Sequence, residues 1–128
     1  MSCSTVKLLL ALMPALVMSQ EALEADCQRK LGASAEDLQI TRELRLPESR
    51  LQMCLYDCIL QGVGFSDGRQ FNRDGYLSFS LANVDRKRQP MVREMGEKCD
   101  GISNEHDCCQ LAADIVACLR EGMLKYAV

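Results

Sequence analysis

Cysteine is the residue type in this sequence with the clearest capacity for chemistry, and eight cysteines occur among its 128 residues. Six of them follow the spacing C-x26-C-x3-C-x40-C-x9-C-x8-C, at Cys27, Cys54, Cys58, Cys99, Cys109 and Cys118. Thiols in this number could form disulfides, hold a metal ion or act as a redox pair. Because they follow a predicted secretion signal, we expect them to oxidise into three disulfides around a small helical core.

Three other groups of side chains resemble known sites but lack essential parts. His106-Asp107-Cys108-Cys109 resembles secreted phospholipase A2, but in that family the cysteine pair precedes the histidine and a Gly-rich calcium loop lies upstream. Gln70-x-Asn72-x-Asp74-Gly75 resembles a calcium loop, but Gln70 replaces the first acidic ligand and Leu81 stands where a bidentate glutamate is needed. A zinc set is disfavoured because secretion favours disulfides; its members would be Cys54, Cys58, Cys108 and Cys109. No Gly-x-Ser-x-Gly motif occurs. We therefore predict no enzyme activity, no metal and no cofactor.

Residues 1–19 are predicted to be a signal peptide. An apolar segment runs from Leu8 to Met18, and Ser19 is small enough for a cleavage site. The segment is too short to span a membrane. The alternative, a buried N-terminal helix, is disfavoured because Pro14 would kink it and it has no polar face. Residues 20–128 then form one predicted domain, secreted and extracellular.

The elements that must position the cysteines are predicted to be six helices. Helical periodicity dominates, and the helices are expected over residues 21–31, 34–42, 47–60, 77–85, 90–101 and 103–121. Residues 65–75 are predicted to be a polar loop. Acidic residues, 18 in number, exceed the 15 basic ones, so nucleic-acid binding is not predicted. The charged run at residues 85–88 is interpreted as a solvated helix end.

Helical geometry limits how the cysteines pair. Cys54 and Cys58 are four residues apart and point to nearly the same side of the third helix. Cys109 and Cys118 are nine apart, about half a turn beyond two full turns, so they cannot pair with each other. Six cysteines still allow fifteen connectivities. Cys108 is left over: a buried free thiol is favoured, and the alternatives are a competitor for Cys54 or an intermolecular bridge.

The cysteine spacing resembles that of insect odorant-binding proteins of the pheromone/general-odorant-binding type. The segments 58–65 and 74–77, the latter with its Asp-Gly turn, are also similar to that family. The extra Cys108 and a longer loop at residues 65–74 depart from its pattern. The resemblance implies the pairs Cys27–Cys58, Cys54–Cys109 and Cys99–Cys118. It also implies an all-α, compact six-helix domain, stapled by three disulfides around an apolar ligand cavity.

A ligand cavity of this kind needs apolar walls and one or two polar groups. Helix spacing and residue type suggest lining by Met53, Phe79, Met91, Met95, Leu111, Ile115, Leu119 and Tyr126. The alternative for each residue is an ordinary place in the core. Tyr126 is the best polar anchor, and the resemblance assigns the C-terminal tail from Tyr126 to Val128 the role of an acid-sensitive wall. His106, the only histidine, is interpreted as a solvated residue near a helix start, and the alternative is a pH sensor.

The function implied is a secreted carrier that binds odorants, pheromones or similar small hydrophobic molecules and transports them through aqueous fluid such as sensory lymph. One alternative keeps the fold for a non-olfactory scavenger of lipid, hormone or amine. Another is a disulfide-framed module that binds a protein partner. The expected partners are a small hydrophobic ligand and, in an olfactory role, a membrane receptor. The protein is expected to be a monomer or weak homodimer, without nucleic acid or a membrane span.

Overall fold

The structure, a computed structural model, describes residues 19–126, without the side chain of Tyr126. Within that range the chain forms six α-helices and one 3-10 turn at Arg86–Arg88. The helices are α1 Gln20–Leu31, α2 Ala35–Arg42, α3 Arg50–Val63, α4 Arg73–Asn83, α5 Gln89–Cys99 and α6 Cys108–Tyr126. Extended pairing between residues 19 and 126 is limited to two isolated bridges, Ser66 with Phe71 and Gln70 with Ser103. The all-α prediction is confirmed.

The first two helices begin and end where local signals indicate. Gly32 follows α1 with a φ of 67°, a left-handed conformation that glycine adopts without a steric penalty. The Ser34 side chain accepts the Asp37 N–H at 3.0 Å, and the Asp37 carboxylate accepts the Ser34 N–H at 2.9 Å. This reciprocal capping box fixes the start of α2. Ser19, the last residue of the predicted leader, caps α1 by accepting the N–H of Ala22.

The start of α3 was predicted wrongly at Pro47. The helix begins three residues later, because Ser49 accepts the N–H of Gln52 and so acts as the N-cap. The Gln52 side chain in turn accepts the N–H of Glu48 at 2.7 Å. These two bonds hold residues 47–49 outside the helix.

The predicted bounds of α4 and α6 are also wrong. Asn72 caps α4, so that helix starts four residues before Leu77. Asp107, not Ser103, caps α6 by accepting the N–H groups of Cys109 and Gln110, each at 3.1 Å. Gly122 was expected to end α6 but lies inside it, buried against Met95. A Cβ at Gly122 would lie 2.6 Å from Met95 Cγ, so the close approach of α5 and α6 accounts for a glycine there.

The segment between α3 and α4 is more ordered than a polar loop. Phe71 is buried and its N–H donates to the Ile102 carbonyl at 2.8 Å. Gly75, from the expected Asp-Gly turn, lies in the first turn of α4 instead. A Cβ there would overlap the Gly64 carbonyl oxygen, so only glycine allows α4 to approach the end of α3 so closely.

Helices α3 and α6 pack together at the centre of the domain. Helices α1 and α2 pack on α3, α4 packs on α5, and α5 packs on α6. A small apolar cluster joins α1, α2 and α3; its buried members are Leu23, Cys27, Leu38, Leu55 and Ile59. The main cluster includes Tyr56, Leu60, Phe71, Tyr76, Val92, Met95, Leu111, Ile115, Val116 and Leu119. Of the helices that the structure describes, none has the length and apolar character needed to cross a membrane.

Candidate functional site

Three disulfides frame the main cluster. They join Cys27 to Cys58, Cys54 to Cys109 and Cys99 to Cys118, which are the pairs that the resemblance implied. The first ties α1 to α3, the second α3 to α6, and the third α5 to α6. Helices α2 and α4 contain no cysteine. Four helices are therefore covalently linked, while α2 and α4 are held by packing and hydrogen bonds.

Cys108 differs from its prediction. It is half-buried and disulfide-bonded, so the expectation of a buried free thiol is wrong. Every cysteine between residues 19 and 126 is disulfide-bonded. Asp57, Cys108 and Cys109 bring their ligand atoms within 4.8 Å of one another. The sulfurs of Cys108 and Cys109 are in disulfides, so they are not thiolates that could bind zinc.

Four of the predicted lining residues lie deep in the main cluster. Leu111 and Ile115 have no accessible surface, and Met95 and Leu119 are each 4% exposed. A side chain without accessible surface faces no space that a water molecule can enter, so these residues are packed core in this conformation. A ligand would reach them only after the helices around them had moved apart.

The other predicted lining residues lie nearer the surface. Met91 is half-buried and packs against the main cluster. Phe79 is half-buried, with its ring centre 5.5 Å from that of Phe65 in an edge-to-face arrangement. Met53 on α3 is half-buried. The Tyr126 side chain and residues 127–128 lie outside the described part of the chain, so the anchor and tail predictions remain predictions.

A set of apolar residues, of which the sequence analysis named only Met91 as a lining residue, surrounds the main cluster. We name it the apolar rim: Leu44, Phe65, Leu77, Leu81, Val84, Met91 and Ile102, all half-buried and packed against the cluster. The i, i+4 spacing of Leu77 and Leu81 could have indicated it. The buried Gly96 brings α4 close to α5, since a Cβ there would lie 3.3 Å from Leu77 Cδ2. The rim is therefore built mainly on α4, the linker after it, and α5.

The surface also carries a polar depression of about 290 Å³. It is lined by Asp67, Gln70, Phe71, Asn72, Arg73, Asp74 and Asp100, which include the segment that resembles a calcium loop. Several of its side chains already have partners: Asp67 accepts two backbone N–H groups, Asn72 caps α4, and Arg73 pairs with Asp100 at 3.3 Å. None of the predicted lining residues borders it.

The linker between α2 and α3 is held by two buried or half-buried polar side chains. The Tyr56 hydroxyl donates to the carbonyls of Arg45 and Ile40, at 2.6 and 3.1 Å. Its burial raises the pKa of Tyr56 to about 12. Arg120 on α6 donates to the Leu44 carbonyl at 2.7 Å. Leu44 itself has a φ of 53°, an unfavourable conformation for leucine that closes the end of α2.

The pKa values of two carboxyl groups near the start of α6 are shifted in opposite directions. Asp107 binds Arg50 through two hydrogen bonds of 2.7 and 2.8 Å, and these bonds lower the pKa of Asp107 to about 2. Asp57 on α3 is half-buried, and desolvation raises its pKa to about 6. His106 is exposed and precedes α6, with its N–H donating to Asn104.

The fold agrees with that of solved insect structures. Odorant-binding protein dmelOBP28a from Drosophila melanogaster superposes with a TM-score of 0.75 at 20% identity, over 84% of this chain and 92% of that one. Fatty acid binding protein OBP56a, from the oral disk of the blowfly Phormia regina, superposes with a TM-score of 0.63 at 17% identity, over 83% and 90% of the two chains. The fold of this protein is therefore the one found in insect odorant-binding proteins.

The sequence matches the family model of the PBP/GOBP family over residues 10–122, and the chain belongs to that family. General odorant-binding protein 19d of Drosophila melanogaster is 23% identical over 109 residues, which cover 83% of this chain and 73% of that protein. The resemblance drawn from the cysteine spacing is confirmed.

Proposed function

We propose that this protein is a secreted, non-enzymatic carrier that binds small hydrophobic ligands between the apolar rim and the main cluster. Membership of the PBP/GOBP family supports ligand binding. The fatty acid binding protein OBP56a of the blowfly, a protein of similar fold, supports a hydrophobic ligand. Odorants, pheromones and free lipids all fit the expected chemistry, and transport through an extracellular fluid is part of the proposal.

The apolar rim is the observation that carries this proposal. Its side chains are half-buried around a packed cluster, so a ligand inserted there would cover apolar surface that still contacts water. Such burial contributes about 25 cal/mol per Å² of apolar surface. Met91 and Met95 lie on this side of the cluster, and methionine adapts to ligands of different shape.

Helix α4 is the element that we expect to move when a ligand enters. It carries Leu77 and Leu81 of the rim and is not linked by a disulfide, whereas α5 and α6 are joined by Cys99–Cys118. Displacing α4 from α5 would open the main cluster without breaking the covalent frame. The predicted wall formed by Tyr126 to Val128 would close the other side of the ligand site and control ligand release. Deletion of these three residues should weaken ligand binding or abolish its pH dependence.

Displacement of a fluorescent naphthylamine probe tests the function directly. The full chain is expressed in a secretory host, purified in its oxidised form, and titrated at about pH 7 and about pH 5. We expect saturable binding at neutral pH. Weaker binding at acid pH would support an acid-sensitive wall at the C-terminal tail. Equal binding at both pH values would support the carrier function but not the acid-sensitive wall. Failure to bind any apolar probe would contradict the carrier and favour a protein-interaction module.

A pair of variants on α4 locates the site. Leu81→Gln places an amide in the rim and should weaken probe binding about tenfold, because a polar group would be buried without a partner. Ala82→Gln is the matched control, since Ala82 is the exposed neighbour on the same helix. Equal affinity of both variants and the unsubstituted protein would show that the ligand binds elsewhere.

A further inference from the structure

Arg120 is the least exposed cation in the part of the chain that the structure describes. Every other lysine and arginine between residues 19 and 126 is exposed, whereas Arg120 is half-buried on α6. Removing a guanidinium from water is costly unless hydrogen bonds or an opposite charge compensate it. The partners of Arg120 therefore decide whether its position is structural or serves a ligand.

Within residues 19–126, Arg120 has one hydrogen-bond partner, the Leu44 carbonyl, which one terminal nitrogen contacts at 2.7 Å. No carboxylate in that range lies within 4.0 Å of it. By contrast, five exposed arginines pair with carboxylates: Arg29, Arg42, Arg45, Arg50 and Arg73. The edge of the Arg120 guanidinium formed by Nε and the second terminal nitrogen has no acceptor among these described residues. This edge has the geometry that binds the two oxygens of a carboxylate.

The surroundings of Arg120 combine this cation with apolar surface. Leu44, whose carbonyl it binds, belongs to the apolar rim, and the preceding residue Leu119 is buried in the main cluster. One turn further along α6, Met123 is 45% exposed, and Leu46 beyond the linker bend is 50% exposed. The charge of Arg120 acts on the nearby Tyr56, whose hydroxyl donates to carbonyls and, within the described residues, accepts no hydrogen bond from Arg120.

We propose that Arg120 binds the head group of an aliphatic carboxylate whose hydrocarbon chain lies along the rim from Leu44. The inference rests on the proposed carrier function and narrows its ligand class to long-chain carboxylic acids. The carboxylate would pair with the free edge of the guanidinium, while the Leu44 carbonyl holds the other side of that group in place. The protein would then distinguish an acid from an alcohol of equal length.

Competition between three ligands of equal chain length tests this preference. Dodecanoate, dodecanol and dodecylamine are each used to displace the naphthylamine probe at about pH 7. We expect dodecanoate to bind at least about tenfold more tightly than dodecanol, and dodecylamine to bind most weakly, because hydrogen bonds to charged groups are the strong ones. Arg120→Gln should reduce the ratio of acid to alcohol affinity to about one, while Arg120→Lys should retain part of it.

One control variant makes each outcome decisive. Arg93→Gln, which changes an exposed arginine on α5, should leave the preference intact. Probe binding without a preference for dodecanoate in the unsubstituted protein, or a preference that survives in Arg120→Gln, would overturn the inference but leave the carrier function standing. Absence of probe binding would overturn both.

A measurement on the unsubstituted protein covers the case in which Arg120→Gln fails to fold. The NMR titration of dodecanoate labelled with carbon-13 at its carboxyl gives the pKa of the bound head group. A guanidinium contact lowers that pKa below the value of the free acid, and burial without a cation raises it. A raised pKa would refute the assignment of Arg120.

Discussion

Replacing Asp57 by asparagine should stabilise the protein at neutral pH and have little effect in acid. Asp57 is half-buried on α3, and its carboxylate accepts one hydrogen bond, 2.9 Å from the Gln61 side-chain nitrogen. Desolvation is the main cause that raises its pKa to about 6, and the nearby negative charge of Asp107 adds to it. Asparagine has nearly the same shape and keeps an oxygen that can accept the bond from Gln61.

The sign of the effect follows from proton binding. Below the unfolded pKa of 3.8, Asp57 is protonated in both states and its burial carries no charge penalty. Between there and about 6, the unfolded chain loses the proton first, so stability falls as the pH rises. A shift of two units corresponds to about 3 kcal/mol at most. Because part of the carboxyl group contacts water, we expect about 1–2 kcal/mol.

Denaturation by guanidinium chloride, followed by circular dichroism at about pH 7.5 and about pH 3.5, measures the effect with the disulfides intact. Asp114→Asn is the matched control. Asp114 also accepts a hydrogen bond from a glutamine four residues away, Gln110, but it is exposed on α6. We expect Asp57→Asn to gain stability over the unsubstituted protein only at the higher pH, and Asp114→Asn to change little at either.

The reasoning would be refuted if Asp57→Asn were equally stable, or less stable, relative to the unsubstituted protein at about pH 7.5. A gain of the same size at both pH values would also contradict it, because a gain independent of pH is not caused by the charge. Carbon-13 NMR of the Asp57 carboxyl provides a direct check. A midpoint near 4 would show that the group is well hydrated.

Three further predictions concern the frame of the site. Tyr56→Phe should lower the free energy of unfolding by about 1–3 kcal/mol, measured by chemical denaturation, because the Arg45 carbonyl loses its donor, whereas the Ile40 carbonyl still accepts the Arg45 N–H. Gly75→Ala should cost about 2–3 kcal/mol in the same assay, since its Cβ would overlap the Gly64 carbonyl; Gly32→Ala, with open space around its Cα, should cost less. Asp107→Asn should lower the melting temperature at about pH 7 but not below about pH 2, because the low pKa of Asp107 gives stability that is present above 3.8 and lost as the pH falls through about 2.

Much of the fold was predictable because local signals control it. The capping pair Ser34 and Asp37 and the left-handed Gly32 act within one turn of the helices that they bound. The predicted helix starts at Pro47 and Ser103 were wrong for a physical reason. Stronger caps, Ser49 and Asp107, lie a few residues downstream, and a choice between neighbouring caps depends on the hydrogen bonds that each completes.

The candidate site was less predictable because burial depends on which helix covers which face. Leu111 and Ile115 have the spacing of a pocket wall, but α3 and α5 pack over them and leave no accessible surface. Leu77 and Leu81 lie where that packing is incomplete, so they form part of the rim. Periodicity identifies an inward face and does not distinguish a packed core from a wall that a ligand can reach.

The sequence by itself determined the class of protein. Six cysteines at this spacing, set among amphipathic helices, predict a helical domain with a disulfide frame. Helix geometry also excludes a bond between Cys109 and Cys118. Only the tertiary structure placed Arg120 against the carbonyl of Leu44, 76 residues earlier in the chain, and left one edge of its guanidinium without a partner among residues 19–126. It also placed Asp57 where its charge is costly. Both arrangements join residues that no local pattern connects, because the environment of a charge is set by whatever the folded chain packs around it.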